Sequence, residues 1–251
     1  MNGTKELDGR VAIITGAGRN IGRAIALALA DAGAAVVVNT RANEAQAREV
    51  VEAIAASGGR AVAAIGDVTD PKAVTAMVES AAAQYGRIDY LINNAAVRAE
   101  QAIEDMTYAD WRNVLDSILD GAFHCIKAAL PHLKRSGAGA IVNIGGLSAH
   151  TGSKHRVHVT TAKSGLVGLT RGLAHDLAES AITVNLVVPG LIGTPRPAGS
   201  PEPQHHSLHR TLTGVRGTPD DIAATVRFLC GPGARFITGQ TIHLNGGAYL
   251  G

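Results

Sequence analysis

Residues 10–39 read RVAIITGAGRNIGRAIALALADAGAAVVVN, and the succession of textures in this stretch decides the fold. A short β-branched run at 11–14 passes through a glycine-rich turn into an Ala-rich segment of helical length, and a second apolar run has begun by Val36. The order is strand, turn, helix, strand. In such a turn Gly16 permits the tight reversal, Gly18 lets backbone come near a ligand, and Gly22 allows the helix to pack closely on the strand. The helix tip offers unsatisfied N–H groups and the positive end of its dipole, a seat for the diphosphate of a dinucleotide.

Outward from this unit, the runs at 34–39, 60–66, 88–94, 139–145, 182–188 and 240–245 read as further strands. Between them lie helical stretches beginning near Ile21, Asn43, Asp70, Thr107, Leu119, His158 and Pro219. Asp70 before Pro71 and Thr218 before Pro219 are N-caps followed by Pro at the first helical position. Strict alternation predicts an α/β fold: a Rossmann-type, doubly wound, parallel seven-stranded sheet with helices on both faces, folded as one domain over 1–251. The stretch 192–217 holds four prolines and three histidines and reads as a lid over a site.

Composition narrows the partners. The 23 basic and 21 acidic residues of the 251 are scattered, so no nucleic acid or membrane surface is implied. Aromatic residues are only 3%, which leaves Ala, Val, Ile and Leu to fill the core. Cys125 and Cys230 sit in apolar helical stretches with no metal-ligand or disulfide spacing. The opening MNGTKELDGR lacks the apolar core of a secretory signal, and no stretch approaches a transmembrane span, so a cytoplasmic protein is expected. His205, His206 and His209 have ligand-like spacing without a carboxylate or thiol partner; a solvated lid is the reading, and no metal is expected.

The end of the second strand bears on the nucleotide. An NAD site commonly carries an acidic residue there for the ribose 2′-hydroxyl. Here Asn39, Thr40 and Arg41 stand instead, with Arg19 as a second cation in the turn, which favours NADP(H) over NAD(H). The alternative is that both arginines are solvated surface charges.

Taken together, TGAGRNIG (15–22), DV (67–68), NNAA (93–96), PGLIGT (189–194) and ITGQTIHLNGG (237–247) resemble the short-chain dehydrogenase/reductase family along nearly the whole chain, in the manner of 3-oxoacyl-acyl-carrier-protein reductases. The resemblance implies a cofactor site comprising Gly16, Gly18, Arg19, Asn20, Ile21, Gly22, Thr40, Arg41, Asp67, Val68, Asn93, Ala95, Lys163, Pro189, Gly190, Ile192 and Thr194. Asp67 and Val68 would edge the adenine, Asn93 would steady the fourth strand and the cofactor, and Thr194 would hold the carboxamide. Asn20 stands where the family usually has its middle glycine, and Gly18 is expected to relieve the same turn. A homodimer or homotetramer is implied, with the helices near 107–135 and 158–179 against a neighbour.

The same resemblance exposes a gap in the chemistry. The family's Asn, Ser, Tyr and Lys positions fall on Ile118 in WRNVLDSILDGAF, Gly146 in IVNIGG, Val159 and Lys163 in VTTAKSG. Only Lys163 is retained. Hydride arriving at a carbonyl leaves an alkoxide that needs hydrogen-bond donors and a proton, which Val and Gly do not provide. Candidate substitutes are His158, beside the vacated Tyr position but about 100° round a helix from it, and His155, in register one turn earlier. Ser148, His150 and Thr160 lie near, and water relayed by Lys163 is a further source. The expected activity is an NADP(H)-dependent oxidoreductase acting on a carbonyl, alcohol or imine through an atypical proton donor. The alternatives are a non-catalytic subunit of a mixed oligomer and a non-redox lyase or cyclase reusing the pocket.

Overall fold

A computed structural model of the chain describes residues 5–195 and 210–251. Seven strands form one sheet: β1 (Val11–Ile14), β2 (Ala35–Thr40), β3 (Arg60–Ile65), β4 (Tyr90–Asn93), β5 (Ala140–Ile144), β6 (Thr183–Pro189) and β7 (Thr241–Leu244). Every pairing is parallel, in the order β3-β2-β1-β4-β5-β6-β7. This is the doubly wound sheet expected from the alternation. β1, β2, β4, β5 and β6 are buried along their whole length, whereas the edge strands β3 and β7 are partly exposed. Near-continuous Val, Ile, Leu and Ala at the central positions follow from burial on both faces.

Helices α1 (Asn20–Asp31), α2 (Glu44–Ala56) and α8 (Pro219–Cys230) cover one face. On the other lie α3 (Pro71–Tyr85), α4 (Tyr108–Leu115), α5 (Gly121–Ser136) and α7 (Val157–Asp176). A single turn, α6 (Ser148–Thr151), follows β5. The expected caps form: Asp70 accepts from Lys72 N, and Thr218 makes a reciprocal capping box with Asp221 above Pro219. Thr107 and Asp110 do the same for α4.

One expectation on boundaries changes. Separate helices near Thr107 and Leu119 are in fact one run, because a π-turn at Asp116–Asp120 joins α4 to α5. Arg112 reaches both Asp116 and Asp120 across that turn, a pairing that sequence periodicity does not reveal. Of the lid stretch, 196–209, including His205, His206 and His209, lies outside the described residues. Its two ends meet: Gly193 N donates to Gly217 O (2.8 Å) and Gly217 N to Leu191 O (3.0 Å).

At the opposite, amino-terminal end of the sheet, Asp89 is buried and accepts five hydrogen bonds from four residues: Arg10 (2.8 Å), Arg87 (2.6 and 2.8 Å), Ser136 (2.6 Å) and the Val11 amide (3.0 Å). Burial pushes its pKa up, but the hydrogen bonds from Arg87, Ser136, Arg10 and Val11 together outweigh burial and hold it below the usual carboxylate value. Asp89 therefore adds stability above the pH at which an unfolded Asp ionises, and that contribution is lost as pH falls through its lowered value. Asp89→Asn is expected to cost about 3 kcal/mol, since it leaves two arginines without their carboxylate; urea unfolding at pH 7 checks it.

Candidate active site

The strand order reverses between β1 and β4, and ligands in open α/β sheets bind outside the carboxyl ends of the strands at such a point. A cleft of about 580 Å³ opens there. Its wall comes from the turn after β1 (Gly16, Gly18, Arg19, Asn20, Ile21, Gly22), the end of β2 (Asn39 to Asn43), the turn after β3 (Gly66, Asp67, Val68) and the segment after β4 (Asn94 to Arg98). Gln46 and Ser117 complete it. Thus Gly16, Gly18, Arg19, Asn20, Ile21, Gly22, Thr40, Arg41, Asp67, Val68 and Ala95 are brought together on one surface.

The turn works differently from the expectation at one place. Gly18 does not carry the left-handed backbone; Gly16 (φ 62°) and Asn20 itself (φ 50°) do. Asn tolerates that region better than other non-glycine residues, which is why it can stand at the middle glycine. Gly18 is required by proximity instead, because a Cβ there would lie 2.8 Å from Thr40 Cγ2. Gly22 fits the expected role: a Cβ would sit 2.3 Å from Gly16 O.

Helix α1 alone among the four helices α1, α2, α3 and α8 starts without a side-chain cap. Its N-cap residue, Arg19, makes no capping hydrogen bond and its first turn has no acidic residue, while Asn43, Asp70 and Thr218 cap the others. The first-turn amides at the cleft are thus left for an anion from outside the chain. This fits the diphosphate of a nicotinamide dinucleotide.

Asn94, absent from the sequence-derived set, clamps the turn. Its Nδ2 donates to Thr15 O (3.0 Å) and Gly16 O (2.9 Å), and Thr15 Oγ1 accepts from Asn94 N and Ala95 N, both at 3.0 Å. The doubled Asn of NNAA was the available signal. Asn93 turns the other way: its Nδ2 donates to Asn143 Oδ1 (2.8 Å), and Asn143 Nδ2 donates to Thr170 Oγ1 (2.9 Å), tying β4 to β5 and α7. Asn39 is also buried, and its Nδ2 donates to Ala64 O (3.2 Å) and Gly66 O (3.0 Å), so it braces β2 against the end of β3. That leaves Thr40 and Arg41 at the rim.

Lys163, on α7, is buried, and its Nζ donates to Ile144 O at the carboxyl end of β5. Burial, then the positive charges of Arg98 and Arg156, pull its pKa down to about 7. Gly146 lies opposite: a Cβ added there would meet nothing closer than Lys163 Cγ at 3.8 Å. Ile118, in the π-turn, and Val159 are both buried in one apolar cluster with Val114, Ala162 and Leu166. His155 precedes α7 in a left-handed conformation (φ 58°) and is partly exposed. His158 is completely buried; neither ring nitrogen makes a hydrogen bond among the described residues, and burial holds its pKa below the ordinary histidine value. Neither histidine lines the cleft.

Pro189 ends β6, and Gly190, Ile192 and Thr194 follow it at the same end of the sheet, all outside the cleft wall itself. Gly190 packs so tightly on Asn245 that a Cβ would fall 2.5 Å from its Cα. Ile192 pairs with Gly217, and Thr194 is half-buried. Among the described residues no cluster of His, Cys, Asp or Glu could hold a metal, and no helix is long and apolar enough to cross a membrane.

With sheet, cleft and lysine in place, the class is defined: a doubly wound α/β protein with a cleft at the β1/β4 switch point. A family model described as enoyl-(acyl carrier protein) reductase matches residues 16–249. The chain belongs to the short-chain dehydrogenase/reductase family and is an oxidoreductase of that type with a nicotinamide cofactor. It is 39% identical over 240 residues to the 3-oxoacyl-[acyl-carrier-protein] reductase FabG of Staphylococcus aureus, covering 95% of this chain and 98% of that protein. It is 40% identical over 245 residues to the (2S)-[(R)-hydroxy(phenyl)methyl]succinyl-CoA dehydrogenase subunit BbsD of Thauera aromatica, covering 97% and 98% respectively. A Burkholderia cenocepacia short chain dehydrogenase in complex with NADP superposes with a TM-score of 0.90 at 35% identity, covering 97% of this chain and 99% of that one. A dehydrogenase/reductase from Sinorhizobium meliloti gives 0.92 at 36% identity, with 98% of both chains covered.

Proposed function

We propose that the chain is an NADP(H)-dependent oxidoreductase that interconverts a carbonyl, or an imine, with its reduced form, and that Lys163 supplies the proton. The observation that carries the cofactor choice is the rim of the cleft at the end of β2, where Thr40 and Arg41 stand and none of the lining residues from Asn39 to Asn43 is a carboxylate. Arg41 would pair with a 2′-phosphate, with Arg19 as a second cation across the turn. The solved relative that holds NADP supports the same choice. Arg41→Asp is expected to weaken NADPH binding about 30-fold or more while changing NADH little, as a charge-assisted pair becomes a like-charge contact. Titration of both nucleotides by fluorescence checks it, and equal losses contradict it.

The proton reading rests on what remains beside the cofactor's reactive end. When bound, the nicotinamide supplies or accepts the hydride. Reduction also requires one proton at the substrate oxygen or nitrogen. If Ile118, Gly146 and Val159 occupy the family's donor positions, none of them can give it. His158 is buried and held neutral, and His155 lies ahead of the helix. Lys163, with its pKa near 7, is the side chain whose acid strength suits the task at neutral pH. It hands the proton over directly or through one water.

A second reading, a non-catalytic subunit of a mixed oligomer, is favoured by the apolar packing of Ile118 and Val159 and by the word subunit in the Thauera relative's name. A homodimer or homotetramer is the assembly that goes with the first reading. One experiment separates them: the purified chain alone is incubated with NADPH and a panel of ketones, 3-oxoacyl thioesters and imines. Consumption of NADPH with formation of the reduced product supports the enzyme. Bound NADPH that is never consumed supports the silent subunit.

A further inference from the structure

Three rings meet at the carboxyl end of the sheet, outside the cleft wall. His150 comes from α6, His243 from β7 and Tyr249 from the segment that follows β7. The two imidazoles stand edge to face with centroids 4.5 Å apart, and the phenol ring lies 5.5 Å from His150 and 5.0 Å from His243. Two of the three ride on anchored elements. α6 is tied to α7 by Ser164 Oγ, which donates to Ala149 O (3.2 Å), and to β6 by Leu147 N, which donates to Pro189 O (3.2 Å). His243 pairs with Val188 inside the sheet. Tyr249 is carried differently. After Asn245 the chain passes through two left-handed glycines, Gly246 (φ 61°) and Gly247 (φ 81°), and is turned back by local bonds: Gly247 N donates to Asn245 Oδ1 (2.9 Å), Ala248 N to Asn245 O (3.1 Å) and Asn245 Nδ2 to Tyr249 O (3.0 Å). Residues 211–213 lie alongside, with Leu212 N and Thr213 N both donating to Gly246 O (2.7 and 3.2 Å).

We propose that these rings form an acid-released clasp: while both imidazoles are neutral, Tyr249 packs on them and holds residues 246–249 down, and protonation of either imidazole frees that segment together with 211–213. His150 Nε2 and His243 Nδ1 are buried and have no hydrogen-bond partner among the described residues. A neutral imidazole can keep its proton on the other nitrogen and leave only a lone pair buried, whereas an imidazolium must bury an N–H that has no acceptor. Both rings charged would also repel across 4.5 Å. The groups around them offer no counter-charge. They are the two histidines themselves, Tyr249, and Arg171 on α7, and no carboxylate side chain among the described residues pairs with either ring. Burial lowers the pKa of both imidazoles, and His243 and Arg171 lower that of His150 further. A histidine held below its ordinary value in the closed form takes up a proton more readily once the segment opens. The closed form is therefore favoured at neutral pH and above, and loses ground as pH falls below the ordinary value of 6.5. None of this depends on the oxidoreductase reading.

The test is amide hydrogen exchange on the full chain, read at Leu212, Thr213, Gly247 and Ala248 and corrected for the intrinsic effect of pH. Protection of these four amides is expected to fall about tenfold or more between about pH 7.5 and about pH 5, while amides of β5 keep theirs. Joint replacement His150→Phe and His243→Phe, which keeps both rings and removes their charge, should abolish the fall. Tyr249→Ala should strip the same amides of protection at both pH values. Thermal unfolding reports which variants fold; if the double variant does not, each folded single phenylalanine variant should shrink the fall about threefold or more. A wild type equally protected at both pH values overturns the inference, as does a fall undiminished in the folded phenylalanine variants. So does a loss shared equally by the β5 amides, which would be general acid unfolding, or a Tyr249→Ala variant protected like the wild type at about pH 7.5.

Discussion

Replacing Lys163 with methionine is expected to lower NADPH-dependent turnover about 10³-fold or more, because the change removes the proposed general acid together with the hold on the cofactor ribose that the family resemblance implies for this lysine. Lys163→Arg separates the two roles. An arginine keeps the positive charge near the ribose but stays protonated, so it should retain much of the NADPH affinity and lose the turnover. In the wild type, reduction needs the ammonium form, and the rate should fall as pH rises through about 7. The same shift makes a statement about stability. Lys163 is held at about 7 when folded against an ordinary lysine value of 10.5, so between those values the folded chain binds fewer protons than the unfolded one. Stability of the cofactor-free protein should therefore rise with pH across that window, and the gain should be absent below about 7. Methionine at 163 should flatten that rise and raise the melting temperature at pH 7 while it destroys activity, a trade between stability and function. A melting temperature lower at pH 9 than at pH 7 in the wild type, with no change of slope in the variant, would contradict the assignment.

Gly22→Ala should have the largest effect on the nucleotide site. The added Cβ would fall 2.3 Å from Gly16 O, 2.6 Å from Asn94 Nδ2 and 2.9 Å from Ala17 Cα. Two of these are backbone atoms of the turn, and the third is the side chain that clamps it. No rotamer change relieves such contacts, so α1 must move off β1. A cost of about 3 kcal/mol in folding stability is expected, and NADPH affinity should fall about 100-fold as the first-turn amides leave their positions. Chemical denaturation and nucleotide titration on the same preparation read both effects. An alanine variant that binds NADPH like the wild type would show that the turn is not what holds the nucleotide.

The fold was legible because its rules are local. Each buried strand announces itself by β-branched residues on both faces, each of α3 and α8 by a cap followed by proline, and parallel connection leaves a single handedness. The glycine turn was legible for the same reason, since Gly16 supplies a left-handed backbone of its own and Gly22 packs against Gly16 and Ala17 only a few residues away. What escaped depended on distant partners. Asn94 matters because it reaches 79 residues back to Thr15, and the amide of Asn39, in the cleft wall, is engaged by the carbonyls of Ala64 and Gly66. The continuity of α4 and α5 hangs on a π-turn bridged by Arg112, which no hydrophobic period encodes. His158 drew notice by its place in the sequence, yet tertiary burial sets its charge state, and that cannot be counted along a helix.

Calorimetric titration of the purified chain with NADPH addresses the central claim most directly, since the cleft at the β1/β4 switch point is the feature from which every other assignment follows. One molecule of NADPH bound per chain, more tightly than NADH, is the expected result. No binding of either NADPH or NADP⁺ to the folded protein would contradict it.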